Sequence, residues 1–410
     1  MKKLLLTLPV LSLLILNSCT NELAEISTTN DISITKIDAQ QTIAPQGLTV
    51  TPNAQPIPNR YIIVFKESAK IDVDAEANKF TKEHGGNVEH TFKHALRGVT
   101  ISNINEKQAE AIKKNPNVLF VEQDAEVFAN TTQSANPFPS WGLDRVDQVS
   151  LPLSKSYTYT ADGSGILAYV IDTGIKLDHK DFGGRAIKGI DVINGTFIDG
   201  NGHGTHVAGT IGGTTYGIAK KVTLVEVRVL NNRGSGTISG VIAGVDWVTK
   251  NHVSQPAVAN MSLGGGISSS LDLAVQNAIK DGIVFCVAAG NSSADASTSS
   301  PARVPEAITV GATTSTDAFA SYSNYGSLVD ILAPGSGITS DWNSSTTAIN
   351  TISGTSMATP HVTGVAALYL ATNTGKTPAE VQDALKANAS IGKISGVPSG
   401  TTNSLLFSNY

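Results

Sequence analysis

From residue 166 onward, short apolar runs alternate with longer helical stretches, and this alternation narrows the choice of fold more than any other feature of the chain. Residues 166–171, 222–230, 257–261, 283–288 and 307–310 are strand-length apolar runs. Residues 203–211, 238–250, 270–281, 355–372 and 377–388 read as helices between and after them. Strands that are apolar throughout and joined through helices form a parallel sheet covered on both faces. A sheet of that kind places its functional site beyond the carboxyl ends of its strands.

Before that region the composition changes three times. Residues 1–19 begin with Lys2-Lys3, continue through a mainly apolar segment and end at Asn17-Ser18-Cys19, the pattern of an export signal rather than a spanning helix. Residues 20–59 are rich in Thr, Asn, Gln and Pro without hydrophobic periodicity and read as a disordered tether. Residues 60–128 give the order βαββαβ, for which a small ferredoxin-like α+β module is the economical fold. Charged groups are denser in 60–130 than in 131–410, which sets the expected domain boundary at residue 130.

The chain of 410 residues is 40% hydrophobic, enough for a substantial core. With 15% charged residues and a net charge of -5 it lacks the basic footprint of a nucleic-acid binder. It has two cysteines, so once Cys19 is modified or removed Cys286 has no intrachain partner, and disulfides are not what stabilises the fold. Cys286 lies in an apolar run, where a free thiol behaves as a small buried hydrophobe.

The block Ser353-Gly354-Thr355-Ser356-Met357-Ala358-Thr359-Pro360-His361 precedes another apolar run. Gly354 frees the backbone, Thr355 can cap, and Pro360 is tolerated near a helix start, so Ser356 is expected at a helix N-terminus. Backbone N–H groups and the helix dipole there favour developing negative charge. A serine in such a place is commonly a cap, and chemistry also requires a base and a group to orient it. Asp172 follows the run 167–171 and precedes Thr173-Gly174, which puts it at a strand's carboxyl end. His203 stands between Gly202 and Gly204 at the start of a helical stretch whose small residues allow close packing. His206, three positions on, suggests a metal pair with His203, but no carboxylate or Cys nearby completes such a site. An α/β-hydrolase would need G-x-S-x-G with Asp before His. Here Ala358 replaces the final Gly, and His361 precedes Asp383.

The order Asp172, His203, Ser356 and the blocks around each resemble the three catalytic blocks of the subtilisin-like serine proteases, nearest the proteinase K branch. The resemblance covers 131–410 as a catalytic domain and 60–130 as the family's inhibitory propeptide. It implies a serine endopeptidase with a subtilisin-like parallel sheet and helices on both faces, preceded by the ferredoxin-like propeptide. Ser356 would be the nucleophile, His203 its base and Asp172 the orienter of His203. Asn291 and the Ser356 N–H would stabilise the oxyanion, and loss of such a donor costs about 3–4 kcal/mol of transition-state stabilisation. Gly234, Ser235 and Gly236, with Ser262, Leu263 and Gly264, match the two edges on which an extended peptide adds as a strand. Ala288, Ala289 and Gly290 match the wall of a roomy, mainly apolar primary pocket, implying cleavage after apolar residues.

Further implications are a monomer acting on polypeptides, no cofactor for catalysis, and the propeptide as an intramolecular inhibitor removed by self-cleavage between Asn130 and Thr131. Calcium is implied as a structural ion held by Asp330 with the carbonyls of Pro305 and Ala307. The segment ending in Cys19 resembles a bacterial lipoprotein signal, which implies acylation of that cysteine and contact with a membrane only through the lipid. Asn17 departs from the small residue preferred there, so plain secretion stays open. The rival from another class is a catalytically silent homologue that binds peptides.

Overall fold

The computed structural model describes residues 55–128, 132–133 and 140–410. The expected export signal with Cys19, the tether up to residue 54 and the Asn130–Thr131 junction lie outside the described residues.

The amino-terminal module consists of β1 (Gln55–Phe65), α1 (Val73–His84), β2 (Asn87–Phe92), β3 (Gly98–Ser102), α2 (Glu106–Lys113) and β4 (Val118–Phe128). Its strands are antiparallel in the order β2-β3-β1-β4, the ferredoxin-like arrangement that the element order implies. Asp72 caps α1 by accepting from the Ala75 N–H at 2.8 Å, and Asn105 and Gln108 close a capping box on α2. Phe65, Phe80, Ile101 and Val121 fill the core between sheet and helices. β1 begins at Gln55, inside the stretch read as tether. Pro56 pairs there with Ala125 of β4, ahead of a register shift, whereas the β3 ladder begins at Arg60. A proline in that position forfeits no ladder bond to β3.

The rest of the chain runs through β5 (Thr132–Gln133), α3 (Trp141–Val146), β6 (Leu167–Asp172), β7 (Ala186–Asp191), α4 (His203–Gly212), β8 (Thr223–Arg228), β9 (Ser235–Thr237) and α5 (Ile238–Asn251). It continues through β10 (Ala257–Met261), α6 (Ser269–Lys280), β11 (Val284–Ala288), β12 (Ile308–Thr313), β13 (Ile331–Pro334), β14 (Ile338–Asp341) and β15 (Ile349–Ser353). It ends with α7 (Thr355–Thr372), α8 (Pro378–Asn388), β16 (Ser390–Ile391) and β17 (Ser404–Leu405). Nine strands form the main sheet in the order β16-β17-β13-β12-β11-β10-β6-β8-β7, parallel except where β16 meets β17. Every residue of β10, β11 and β12 is buried, as strands covered on both faces require. Helices α4 and α7 cover one face, and α5 and α6 the other. The strand order reverses at β6, with β8 on one side and β10 on the other, which opens a crevice at its carboxyl end.

The module's sheet packs its second face on α5 and α6, with Ile62, Val64, Phe92 and Phe120 in one apolar cluster with Val241 and Leu271. Polar groups fix the register of this contact. Glu122 Oε2 accepts from the N–H and the hydroxyl of Ser270, both at 2.8 Å, in the first turn of α6. Asp124 Oδ1 accepts from the Ser239 N–H at 3.0 Å in the first turn of α5, and its other oxygen accepts from the Ser239 hydroxyl. Both carboxyls sit where orphan helix donors and the positive end of the dipole favour them. In the other direction, Asp246 of α5 accepts from the N–H groups of Lys93, His94 and Ala95 through a single oxygen.

α7 is buried along nearly its whole length and passes close to the loop after α4. A Cβ on Gly364 would lie 2.5 Å from the Cβ of Ile218. Replacing Gly by Ala in a helix gains about 1 kcal/mol in propensity, but overpacking a tight core costs about 1–3 kcal/mol. Gly364→Ala should therefore lower the thermal midpoint in differential scanning calorimetry. An unchanged or raised midpoint would show that the core yields at this contact.

Candidate active site

Asp172 ends β6 and is fully buried. The next turn of chain is covered by the first turn of α4, and the approach is close: a Cβ on Gly204 would stand 2.2 Å from the carbonyl oxygen of Gly174. Glycine at 204 is therefore a steric requirement, and it brings His203 beside Asp172. Gly202, with φ +106°, turns the chain into the helix.

His203 Nδ1 lies 2.7 Å from Asp172 Oδ1, which also accepts from the Thr173 N–H at 2.7 Å. A carboxylate only accepts, so Nδ1 carries the proton and Nε2 is left with its lone pair. Nε2 has no hydrogen-bond partner among the described residues. Asp199 organises the turn beneath. It accepts from the N–H groups of Asn201, Gly202 and Thr205 and from the hydroxyls of Thr173 and Thr205. Thr173 Oγ1 in turn accepts from the Gly204 N–H at 2.9 Å, joining the strand end to the helix start. Asp199 was not singled out from sequence, because Asp199-Gly200-Asn201-Gly202 reads as an ordinary turn. Its signal was proximity to a Gly-flanked histidine.

Ser356 lies in the first turn of α7, as expected, but Thr355 is the first helical residue rather than a cap, and Pro360 falls inside the helix. Ser356 Oγ donates to the carbonyl of Ser262 at 3.1 Å. Asn291 follows Gly290 beyond the end of β11, where Gly290 has φ +105° and a Cβ would meet the Asn324 amide at 2.4 Å. Thr355 donates to Asn291 Oδ1 through its N–H at 2.8 Å and its hydroxyl at 3.0 Å. A backbone N–H is always the donor, so the Asn291 oxygen faces Thr355 and the NH₂ end is the one turned away from it. Asn324 holds the same loop by accepting from the Ser292 and Ala294 N–H groups and donating to the Ala289 carbonyl.

Ser235 and Gly236 lie in β9, just after Gly234, and β9 has received a strand. Phe128, Val127 and Glu126 of β4 pair antiparallel with Ser235, Gly236 and Thr237. On the other side, Thr132 and Gln133 of β5 pair with Ser353 and Ile352 of β15, which leads directly into α7. Ser262, Leu263 and Gly264 continue from the end of β10, while Ala288 ends β11 and Ala289 follows it.

Other residues take different roles. His206 Nε2 donates to the Ile338 carbonyl at 3.0 Å in the core, so that nitrogen is committed to the backbone rather than to a metal shared with His203, and burial pushes its pKa down to about 3. Burial pushes the Cys286 thiol up to about 12, consistent with an unreactive core position. The carboxyl expected to hold calcium has partners within the protein. Asp330 Oδ2 accepts from the Thr309 N–H at 2.9 Å, and Oδ1 accepts from Gln382 at 2.9 Å and from the Lys386 ammonium at 3.1 Å. Both oxygens thus accept from the protein, one of them from an ammonium whose side chain is 43% exposed.

Residues 163–406 match the model of the subtilase family, and residues 60–130 match that of the peptidase inhibitor I9 family. An extracellular serine proteinase of Thermus sp. (strain Rt41A) is 52% identical over 375 residues, covering 86% of this chain and 90% of the relative. Proteinase R of Parengyodontium album is 40% identical over 380 residues, covering 91% and 95%. The crystal structure of a cold adapted subtilisin-like serine proteinase, 57% identical, superposes with a TM-score of 0.65 over 66% of this chain and 99% of that one. The chain thus belongs to the subtilase family of serine endopeptidases and carries an I9 propeptide ahead of its catalytic part.

Proposed function

We propose that this exported endopeptidase cleaves peptide bonds through an acyl-enzyme on Ser356, and that it matures by cutting its own chain between Asn130 and Thr131. The observation that carries the reading is the 2.7 Å contact between His203 Nδ1 and Asp172 Oδ1, which leaves Nε2 as a base at the mouth of the strand crevice. Rotation about the Ser356 Cα–Cβ bond moves the hydroxyl from the Ser262 carbonyl to His203 Nε2, which takes the proton as Oγ attacks. Asp172 stabilises the imidazolium that results. The oxyanion accepts from the Ser356 N–H and from the Asn291 NH₂, a group that Thr355 has already oriented. His203 then returns the proton to the leaving amine, and water repeats the sequence to release the acyl group.

Self-cleavage is supported by the strand pairs on either side of α7's first turn. The chain before the junction lies along β9 and the chain after it along β15, as a substrate's two halves would. Asn130 is polar, whereas the Ala288-Ala289-Gly290 wall favours apolar residues in ordinary substrates. Intramolecular presentation offsets a poor side-chain fit through a high effective concentration. The cut module remains held by β9, α5 and α6, so it inhibits until it is degraded. Export through residues 1–19 places the enzyme outside the cytoplasm, and acylation of Cys19 would keep it at the surface on its tether.

Ser356→Ala should abolish hydrolysis of a fluorogenic peptide and retain residues 60–130 covalently, read by mass spectrometry. Cleavage at the same junction by the purified variant would refute self-processing. Asn291→Ala should lower kcat by about 10²–10³ with little change in KM, because its amide serves the oxyanion rather than the bound peptide. A change confined to KM would remove it from the oxyanion site. Metabolic labelling with a clickable fatty acid should mark the wild type and not Cys19→Ala. Equal labelling of the two would exclude that anchor.

Release of the module should also depend on pH. Burial against α6 raises the Glu122 pKa from 4.5 to about 7. A carboxyl whose pKa is raised on docking favours the docked state while protonated. Its contribution is full below about pH 4.5 and is lost as pH rises through about 7. In the uncut Ser356→Ala protein, the thermal midpoint of residues 60–128 should fall between pH 5 and 8, and Glu122→Gln should flatten that fall. An identical pH profile in the two proteins would assign the dependence to other groups.

A further inference from the structure

In an α-helix the carbonyl of residue i accepts from the N–H of residue i+4. Four positions beyond Ser356 stands Pro360, inside α7, and proline has no N–H to give. The Ser356 carbonyl would therefore be an orphan in a buried site, at a cost comparable to a lost hydrogen bond. It is satisfied from outside the helix: the Ser262 hydroxyl donates to it at 2.7 Å. That hydroxyl accepts from Asn260 Nδ2 at 2.9 Å, and Asn260 Oδ1 accepts from the Thr363 hydroxyl at 3.0 Å. Ser262 holds the same residue a second time, since its own carbonyl accepts from Ser356 Oγ. Asn260, Ser262, Ser356 and Thr363 are all at most 1% exposed, so water does not compete for these bonds.

The missing helix bond has a consequence for placement. A complete ladder would fix Ser356 relative to the second turn of α7. Here it is fixed relative to the end of β10, whose continuation through Ser262, Leu263 and Gly264 is one of the peptide-binding edges. We propose that Asn260 and the Ser262 hydroxyl are positioning residues that hold the nucleophile in register with the bound peptide, taking over the donor role that Pro360 removes from the helix. The proposal rests on the reading of Ser356 as the nucleophile and adds to it what sets the nucleophile's position.

The test uses Pro360→Ala as a rescue, because alanine at 360 restores the N–H that can satisfy the Ser356 carbonyl. Enzyme matured from the full-length chain is titrated with a fluorophosphonate, and kcat, KM and the labelling rate are measured per active site together with the thermal midpoint. Ser262→Ala should lower kcat and the labelling rate about tenfold with KM within about twofold, a misplacement effect on the reacting atom. Asn260→Ala should fall in the same direction by less, because it frees the Ser262 hydroxyl to turn. Adding Pro360→Ala to Ser262→Ala should recover most of the lost rate. Wild-type rates in Ser262→Ala, or a double variant as slow as the single, would overturn the proposal. If Ser262→Ala does not mature, the double variant decides alone: recovered maturation and turnover support the proposal, and an inert double variant overturns it. A lowered thermal midpoint with unchanged rates per active site would show a purely structural network and also overturn it. Failure of the wild type to label on Ser356 would overturn the nucleophile reading and this proposal together, and is distinguishable from the other outcomes.

Discussion

The candidate active site depends on how closely the first turn of α4 approaches the turn after β6. Neither Asp172 nor His203 has a reason to meet the other in an extended chain, since 31 positions separate them. They meet because Gly204 lets the helix backbone touch the Gly174 carbonyl, and because Asp199 collects five donors from the strand end and the helix start. A side chain at 204 would push the helix away, and at 2.7 Å there is no slack in the imidazole–carboxylate bond to absorb the shift.

Helix N-termini recur where this chain brings two elements together. The start of α7 carries Ser356 beside the end of β10, while the starts of α5 and α6 donate to Asp124 and Glu122 of the amino-terminal module. The last two contacts bear on folding. A parallel sheet pairs strands far apart in sequence, so loop-closure entropy is lost before pairing repays it. The module is built from closer contacts, and it offers a finished sheet with two carboxyls spaced to cap two helices. Binding to the native arrangement of α5 and α6, it favours that arrangement by mass action.

Much of this was legible in the sequence where local pattern and tertiary need coincide. The strand at 257–261 and the helix at 355–372 have the bounds read from the chain, because uninterrupted burial leaves a continuous apolar signature. β7 was missed because it is an edge strand, partly exposed and holding Gly189, so its apolar signal is diluted. β13 to β17 are each only a few residues long, too short for a periodic pattern to stand out. Asp172, His203, Ser356 and Asn291 stood out by neighbours that are costly unless required, above all glycines. Asn260 did not, although a lone amide in a buried apolar strand carries its own signal: such a group must be hydrogen-bonded or it destabilises the core. The pairing of Asp330 with Lys386 was invisible because the two lie 56 positions apart and no periodic pattern links them.

That pairing bears on how a chain holds its surface without disulfides. Arg145 and Asp317 make a bidentate buried pair at 2.8 and 3.0 Å, tying α3 to the loop after β12, and Arg228 reaches Asp191 at 3.0 Å between β8 and β7. Buried ion pairs add little net stability, since desolvation offsets most of the attraction. Removing one partner is nevertheless costly, so each pair discriminates against arrangements in which its loop sits elsewhere. Lys386, whose side chain is 43% exposed, makes a weaker tie from α8 to Asp330 at the start of β13, and it differs from a bound ion in one respect. An ion stabilises in proportion to the logarithm of its free concentration and is lost on dilution or chelation. An ammonium carried on the chain needs no ion from solution and is not removed by chelation, although salt screens its attraction and one flexible side chain must be ordered.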